Sequence, residues 1–213
     1  MKIDREKFDI DDKITAENRK YMEEGFSVQK YWTERYYNQG NSGWGSWDSN
    51  AVKFKADYVN EVIKKYNINT VCDLGCGDGN MIKYFSGYKQ YYGYDIAPVA
   101  VSMCKSQYEK DINKIFYYKM EEILDKKYDL SLSLDIIYHL VEDDMYQKYM
   151  HDLFSIADIV CIFSTNHGTP VSLDLLHIKD RIFTKDINEN FELIDSKEFT
   201  STVGFYLYKK KII

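Results

Sequence analysis

The sequence predicts a doubly wound, mostly parallel α/β sheet that ends in an antiparallel strand at the C-terminus. Three observations predict it. A glycine-rich turn, VCDLGCGDGN at residues 71–80, joins a short apolar run to a helical pattern. From residue 69 to 165, short buried runs alternate with stretches of helical period, which implies parallel strands joined by right-handed crossovers. The last two strand-like runs leave no room for a helix between them, so that pair is antiparallel.

The elements follow in order. Residues 1–26 are highly charged and read as an arm with one short helix. VQKYWTERYYNQG (28–40) places aromatics at helical spacing and stops at Gly40. GNSGWGSWDSN (40–50) reads as a turn-rich loop with two tryptophans. AVKFKADYVNEVIKKYN (51–67) has a helical apolar stripe, with Ser49 or Asn50 as its cap. Strands are expected at 69–74, 90–95, 114–119, 128–134, 158–165, 191–199 and 203–211, and helices at 79–87, 97–110 and 142–157. The sheet is therefore seven-stranded.

The chain has 213 residues, of which 45% are hydrophobic and 29% charged, enough for one sizeable domain. Lys+Arg 28 against Asp+Glu 34 gives a net charge of −6, which argues against a nucleic-acid or anionic-membrane partner covering the surface. Twenty Tyr and 11 Phe against 2 Pro fit either a codon bias or many half-buried rings. Cys72, Cys76, Cys104 and Cys161 show no metal-ligand spacing and read as reduced thiols, with no metal expected. No apolar run follows Met1, and no stretch approaches the ~18 apolar residues of a membrane span. A soluble cytoplasmic protein is expected, monomer or homodimer, with a small-molecule or glycan partner and neither nucleic acid nor membrane.

Gly75 and Gly77 let the chain turn sharply and let a ligand approach the backbone, and the helix expected behind them would present unpaired N–H groups. A dinucleotide fingerprint requires a third glycine where Asn80 stands, whereas Gly79 makes the spacing G-x-G-x-G. Asp73, two residues before Gly75, suits a cation and opposes a pyrophosphate. DLGCGDG resembles the first motif of the class I S-adenosylmethionine-dependent methyltransferases, and the resemblance extends over about residues 69–165. It implies a Rossmann-like fold that binds S-adenosyl-L-methionine and releases S-adenosyl-L-homocysteine. It implies that Asp73, Gly75, Cys76 and Gly77 hold the cofactor. Asp95, with Ile96 after it, would take the ribose hydroxyls, Met120 and Glu121 would flank the adenine, Leu134 and Asp135 would hold the cofactor, and Asp135 through His139 would line the floor beneath the methionine end. On this reading residues 1–213 form one domain: arm and lid (1–50), cofactor core (51–165), and an acceptor-side segment with the antiparallel strands (166–213).

The stretch at 31–47 and those at 131–140 and 177–184 resemble a bacterial subgroup associated with surface-polysaccharide (capsule) biosynthesis. That resemblance implies an O-methyltransferase whose acceptor is a sugar nucleotide, a capsule sugar or a phosphoramidate group. Arg35 can pair the cofactor carboxylate and Ser46 can donate to the cofactor. His139 is the expected general base, with Tyr138 as the alternative. Tyr37, Trp44, His167, His177 and Arg181 are expected at the acceptor, the last two sharing a helix face that suits an anion. Two other classes stay open: an NAD-dependent oxidoreductase, and a non-catalytic protein that binds S-adenosylmethionine.

Overall fold

The computed structural model describes residues 25–168 and 176–212. The expected arm helix falls in residues 1–24, outside them. The described chain begins with helix α1 (Val28–Tyr37), the single turn α2 (Trp44–Trp47) and helix α3 (Ser49–Tyr66). Strand β1 (Thr70–Leu74) leads through the glycine turn to β2 (Gln90–Tyr94) and α4 (Pro98–Gln107). Then come β3 (Lys114–Tyr117), a one-turn α5 (Glu121–Leu124), β4 (Tyr128–Leu134), α6 (Asp143–Ser155) and β5 (Ala157–Thr165). The hairpin β6 (Phe191–Glu198) and β7 (Val203–Lys210) closes the chain.

Among the described residues the sheet has seven strands in the order β3-β2-β1-β4-β5-β7-β6. β1 pairs with β2 and with β4 in parallel, and β7 runs antiparallel to both β5 and β6. The chain winds outward from β1 to β3, then crosses back to lay β4 on the other side of β1. That reversal opens a crevice at the C-terminal ends of β1 and β4, where ligands of such sheets sit.

Side-chain alternation divides the core. Val71, Leu130, Leu132 and Phe163 face the layer holding α3, while Cys72, Leu74, Val160 and Ile162 face α6. The SLSL pattern of β4 is both faces read together. Its leucines fill the first core. Its serines are fully buried but satisfied: Ser131 donates to the Leu153 carbonyl, and Ser133 bonds the Tyr149 hydroxyl. At the outer edge β6 carries a register shift between Leu193 and Asp195 and exposes Glu192, Lys197 and Glu198.

Three expectations are corrected. Residues 79–87 hold one 3-10 turn (Ile82–Tyr84), not a helix. Gly79 and Gly87 bracket it at φ +79° and +90°, and Phe85 turns extended to bury its ring. The cap of α3 is Asp48, whose carboxylate accepts from Asn50 N and Ala51 N, so the helix starts at Ser49. His177 and Arg181 lie on irregular chain, because their side chains are drawn to different partners. Among the described residues no helix is long and apolar enough to cross a membrane.

Candidate active site

The turn after β1 is held from two sides. Gly75 N and Cys76 N both donate to the Tyr94 carbonyl, at 2.7 and 2.9 Å. Gly77 N donates to Asp95 Oδ2 and Ala97 N to Asp95 Oδ1, each at 2.9 Å. Asp95 therefore ties the glycine turn to the start of α4. Gly75 sits at φ +106°, where a side chain is strained, and a Cβ there would also lie 2.2 Å from Ile136 Cδ1, which would have to move.

A cavity opens between this turn and a lid made by α1 and the following loop. The lid contributes Trp32, Tyr36, Ser42 and Ser46; the β1 and β2 ends contribute Asp73, Gly75, Cys76, Gly77, Asp95 and Ile96. Met120 follows β3, and Leu134, Asp135, Ile136 and His139 follow β4. Asp78 latches the lid to the turn: its Oδ2 accepts from Ser42 N and Trp47 Nε1, both at 2.9 Å, and its own N–H donates to Ser42 Oγ at 3.0 Å.

The electrostatics are acidic. Asp73 is buried; its Oδ2 accepts from the Tyr91 hydroxyl at 2.6 Å, and Oδ1 has no partner. Burial pushes its carboxyl up to about 7, aided by Asp95 and opposed by the Tyr91 bond and by Lys55. Burial likewise raises Asp95 to about 6, against its two backbone bonds. His139 is held down to about 4, by burial first and then Arg35, with the bond to the His177 carbonyl working the other way. His177 is lowered to about 3, by burial, His139 and Arg35. A carbonyl only accepts, so the neutral His139 ring, whose Nδ1 lies 3.0 Å from the His177 oxygen, carries its proton there and keeps a lone pair on Nε2.

A family profile described as a methyltransferase domain matches residues 72–154, the segment that builds the turn, the β4 loop and most of α6. Residues 72–154 carry a methyltransferase domain. Solved structures share its fold. The N-methyltransferase NodS from Bradyrhizobium japonicum WM9, in complex with S-adenosyl-l-homocysteine, superposes with a TM-score of 0.68 at 8% identity, over 87% of this chain and 99% of that one. Magnesium protoporphyrin IX methyltransferase from Synechocystis PCC 6803 gives 0.63 at 16% identity, over 86% and 98%. A methyltransferase from Clostridium acetobutylicum ATCC 824 gives 0.59 at 13%, over 75% and 92%. No curated protein matches the sequence.

Of the residues expected in the site of this methyltransferase domain, Asp73, Gly75, Cys76, Gly77, Asp95, Ile96, Met120, Leu134, Asp135, Ser46 and His139 meet in the one cavity. The others do not line it. Glu121 opens α5 beside Met120. Arg35 folds the lid on itself, donating from Nε to the Asn41 carbonyl at 2.6 Å with its guanidinium over Trp32. Tyr138 lies against His139 and Asp135; burial and Asp135 push its hydroxyl well above the usual range. Tyr37 is 79% exposed, because Trp32 and Tyr36, four apart on α1, take the inward face. Trp44 packs toward Phe199, and His167 lies 3.8 Å from Asp180. His177 stacks on Tyr31 and His139, while Arg181 pairs with Asp143 at 2.7 Å and donates to the Leu140 carbonyl.

Tyr36 and Ser42 line the cavity, Lys55 and Asp78 bond residues that line it, and none of the four was singled out by sequence. Lys55 sits on the apolar stripe of α3, fully buried, with Nζ 2.5 Å from Asp135 Oδ2. A lysine at that helix phase reads as a snorkelling edge residue, so only the fold exposes its role.

Proposed function

We propose that the protein transfers a methyl group from S-adenosylmethionine to a hydroxyl of a small polar acceptor, such as a sugar nucleotide or capsule sugar, with His139 as the general base. The residues present suit the cofactor: the buried Asp73, one oxygen of which has no partner, is a carboxylate in the cavity wall that favours a cationic ligand, and the glycine turn lines the same cavity. When bound, S-adenosylmethionine supplies an electrophilic methyl group on sulfonium. Asp95 and Ile96 are assigned to its ribose side and Met120 to its adenine. The chain's main contribution is alignment under the lid, and fixing two reactants is worth ~7–11 kcal/mol.

The observation that carries the reading is the neutral His139, its Nδ1 anchored and its Nε2 basic, in the wall of that cavity. A base titrating near 4 is unprotonated at neutral pH. It takes up the hydroxyl proton as the oxygen is alkylated and becomes acidic, a contribution of about 10²–10⁴-fold. The phosphoramidate alternative has less support, because Arg181 is engaged by Asp143 outside the cavity. An amine acceptor is the second reading, favoured by the likeness to an N-methyltransferase.

The test incubates the protein with S-adenosylmethionine and a panel of neutral sugars, sugar nucleotides and amines, and follows S-adenosylhomocysteine release. His139→Ala is expected to lower turnover of a hydroxyl acceptor about 10²–10⁴-fold while leaving cofactor affinity intact. Unchanged turnover removes His139 from its role. Tight binding of NADH in place of S-adenosylmethionine overturns the reading as a whole.

A further inference from the structure

Lys55 occupies a core position. It shares its helix face with Val52, Ala56 and Val59, all buried, and is itself 0% exposed. Its ammonium lies over the Phe163 ring, 5.2 Å from the centroid, and its bonded partner is Asp135. Burying an ammonium costs several kcal/mol unless a counter-charge is held in good geometry, and as a stabilising device such a pair is poor. Asp135 is unusual as well. It leaves β4 in the left-handed region at φ +62°, a strained setting for a non-glycine residue, while its N–H stays on the Phe163 carbonyl at 2.9 Å. The lid is fitted to the pair: a Cβ on Gly45 would lie 2.3 Å from Asp135 Oδ2 and 3.4 Å from Lys55 Nζ. Lys55 also acts on Asp73, the other carboxylate of this wall, whose Oδ1 is unpartnered.

We propose that Lys55 is a positioning residue: it holds one oxygen of Asp135 so that the other faces the cavity and, with Asp73, receives the ammonium of the cofactor's amino-acid end. The inference rests on the cofactor reading above. Lys55 meets neither cofactor nor acceptor; it acts through Asp135. Asp135 takes no part in proton transfer, which separates it from His139. The small residue at Gly45 lets the lid close over the pair.

Three ligands separate this role from a structural one: S-adenosylmethionine, S-adenosylhomocysteine and 5′-methylthioadenosine, which lacks the amino-acid end. Titration calorimetry of the full chain is expected to show Lys55→Met losing about tenfold to hundredfold in affinity for the first two, while 5′-methylthioadenosine binds as to the unaltered protein. Asp135→Asn, which keeps shape and removes charge, is expected to show the same selective loss. The double variant is expected to lose no more than Asp135→Asn alone, because Lys55 works through that carboxylate. Lys55→Met binding S-adenosylmethionine normally, or all three ligands weakening in parallel, overturns the proposal. If Lys55→Met does not fold, Asp135→Asn decides: an unselective loss or none refutes it. An unaltered protein that binds none of the three refutes the cofactor reading instead.

Discussion

At Asp73, burial and one tyrosine hydroxyl leave a carboxylate oxygen in the cavity wall without a hydrogen-bond partner. Because its carboxyl titrates near 7, its charge is lost within the ordinary working range. A cationic ligand requires the ionised form, so affinity for S-adenosylmethionine is expected to rise about tenfold per pH unit below pH 7 and level off above it. Asp73→Asn should flatten that profile in calorimetry; a profile unchanged by the substitution removes Asp73 from the site. His139 titrates near 4 and contributes nothing in this window. The sign for folding is opposite. Asp73 is raised in the folded state, so its contribution to stability without ligand is present at low pH and fades as pH rises through about 7. The shift in Tm produced by the cofactor should therefore grow between pH 5 and 8. Asp73 and Asp95 were legible because their place follows from a turn and a strand end. Lys55 was not, since a single lysine on an amphipathic helix gives no sign of a partner 80 positions further along the chain. The choice of Tyr36 over Tyr37 needed the rotational phase of α1, which adjacent aromatics do not reveal.

Among elements, the lid and the glycine turn behave as one unit through Asp78, whose bonds reach Ser42 and Trp47. Bonds to a buried charged group are worth about 1.5–3 kcal/mol each. Asp78→Ala is expected to loosen the lid, weaken S-adenosylmethionine binding about tenfold or more, and speed proteolytic cleavage within residues 38–48. Equal cleavage and affinity in the variant would show that the lid is held elsewhere. Sequence periodicity located nearly every strand, because a buried run flanked by turn residues is a local signal. It failed where geometry was set from a distance. The 79–87 stretch is helical in pattern, yet two left-handed glycines and the burial of Phe85 reduce it to one turn. The 177–181 stretch carries a helical spacing, yet His177 is drawn into a ring stack and Arg181 to an acidic partner across the chain.

For the whole molecule, stability and site are separable. Leu132 is fully buried at the centre of β4, two residues before the cavity wall begins. Leu132→Ala is expected to cost ~2–5 kcal/mol of unfolding free energy, read as a lower urea midpoint at unchanged slope. The folded fraction should bind cofactor normally; a matching loss of intrinsic affinity would mean that core and site are coupled. The strand order sets the reversal beside β1 that creates the crevice; alternation and the closing hairpin foretold the strands and their directions. The far edge of that sheet has a consequence of its own. β6 is an open row of backbone donors and acceptors, which in a crowded solution invites strands from other molecules. Its bulge at Leu193–Asp195 throws the row out of register, and Glu192, Lys197 and Glu198 put charge where an incoming strand would lie. A sheet built outward from its ligand crevice thus ends in an edge that resists amyloid-like growth.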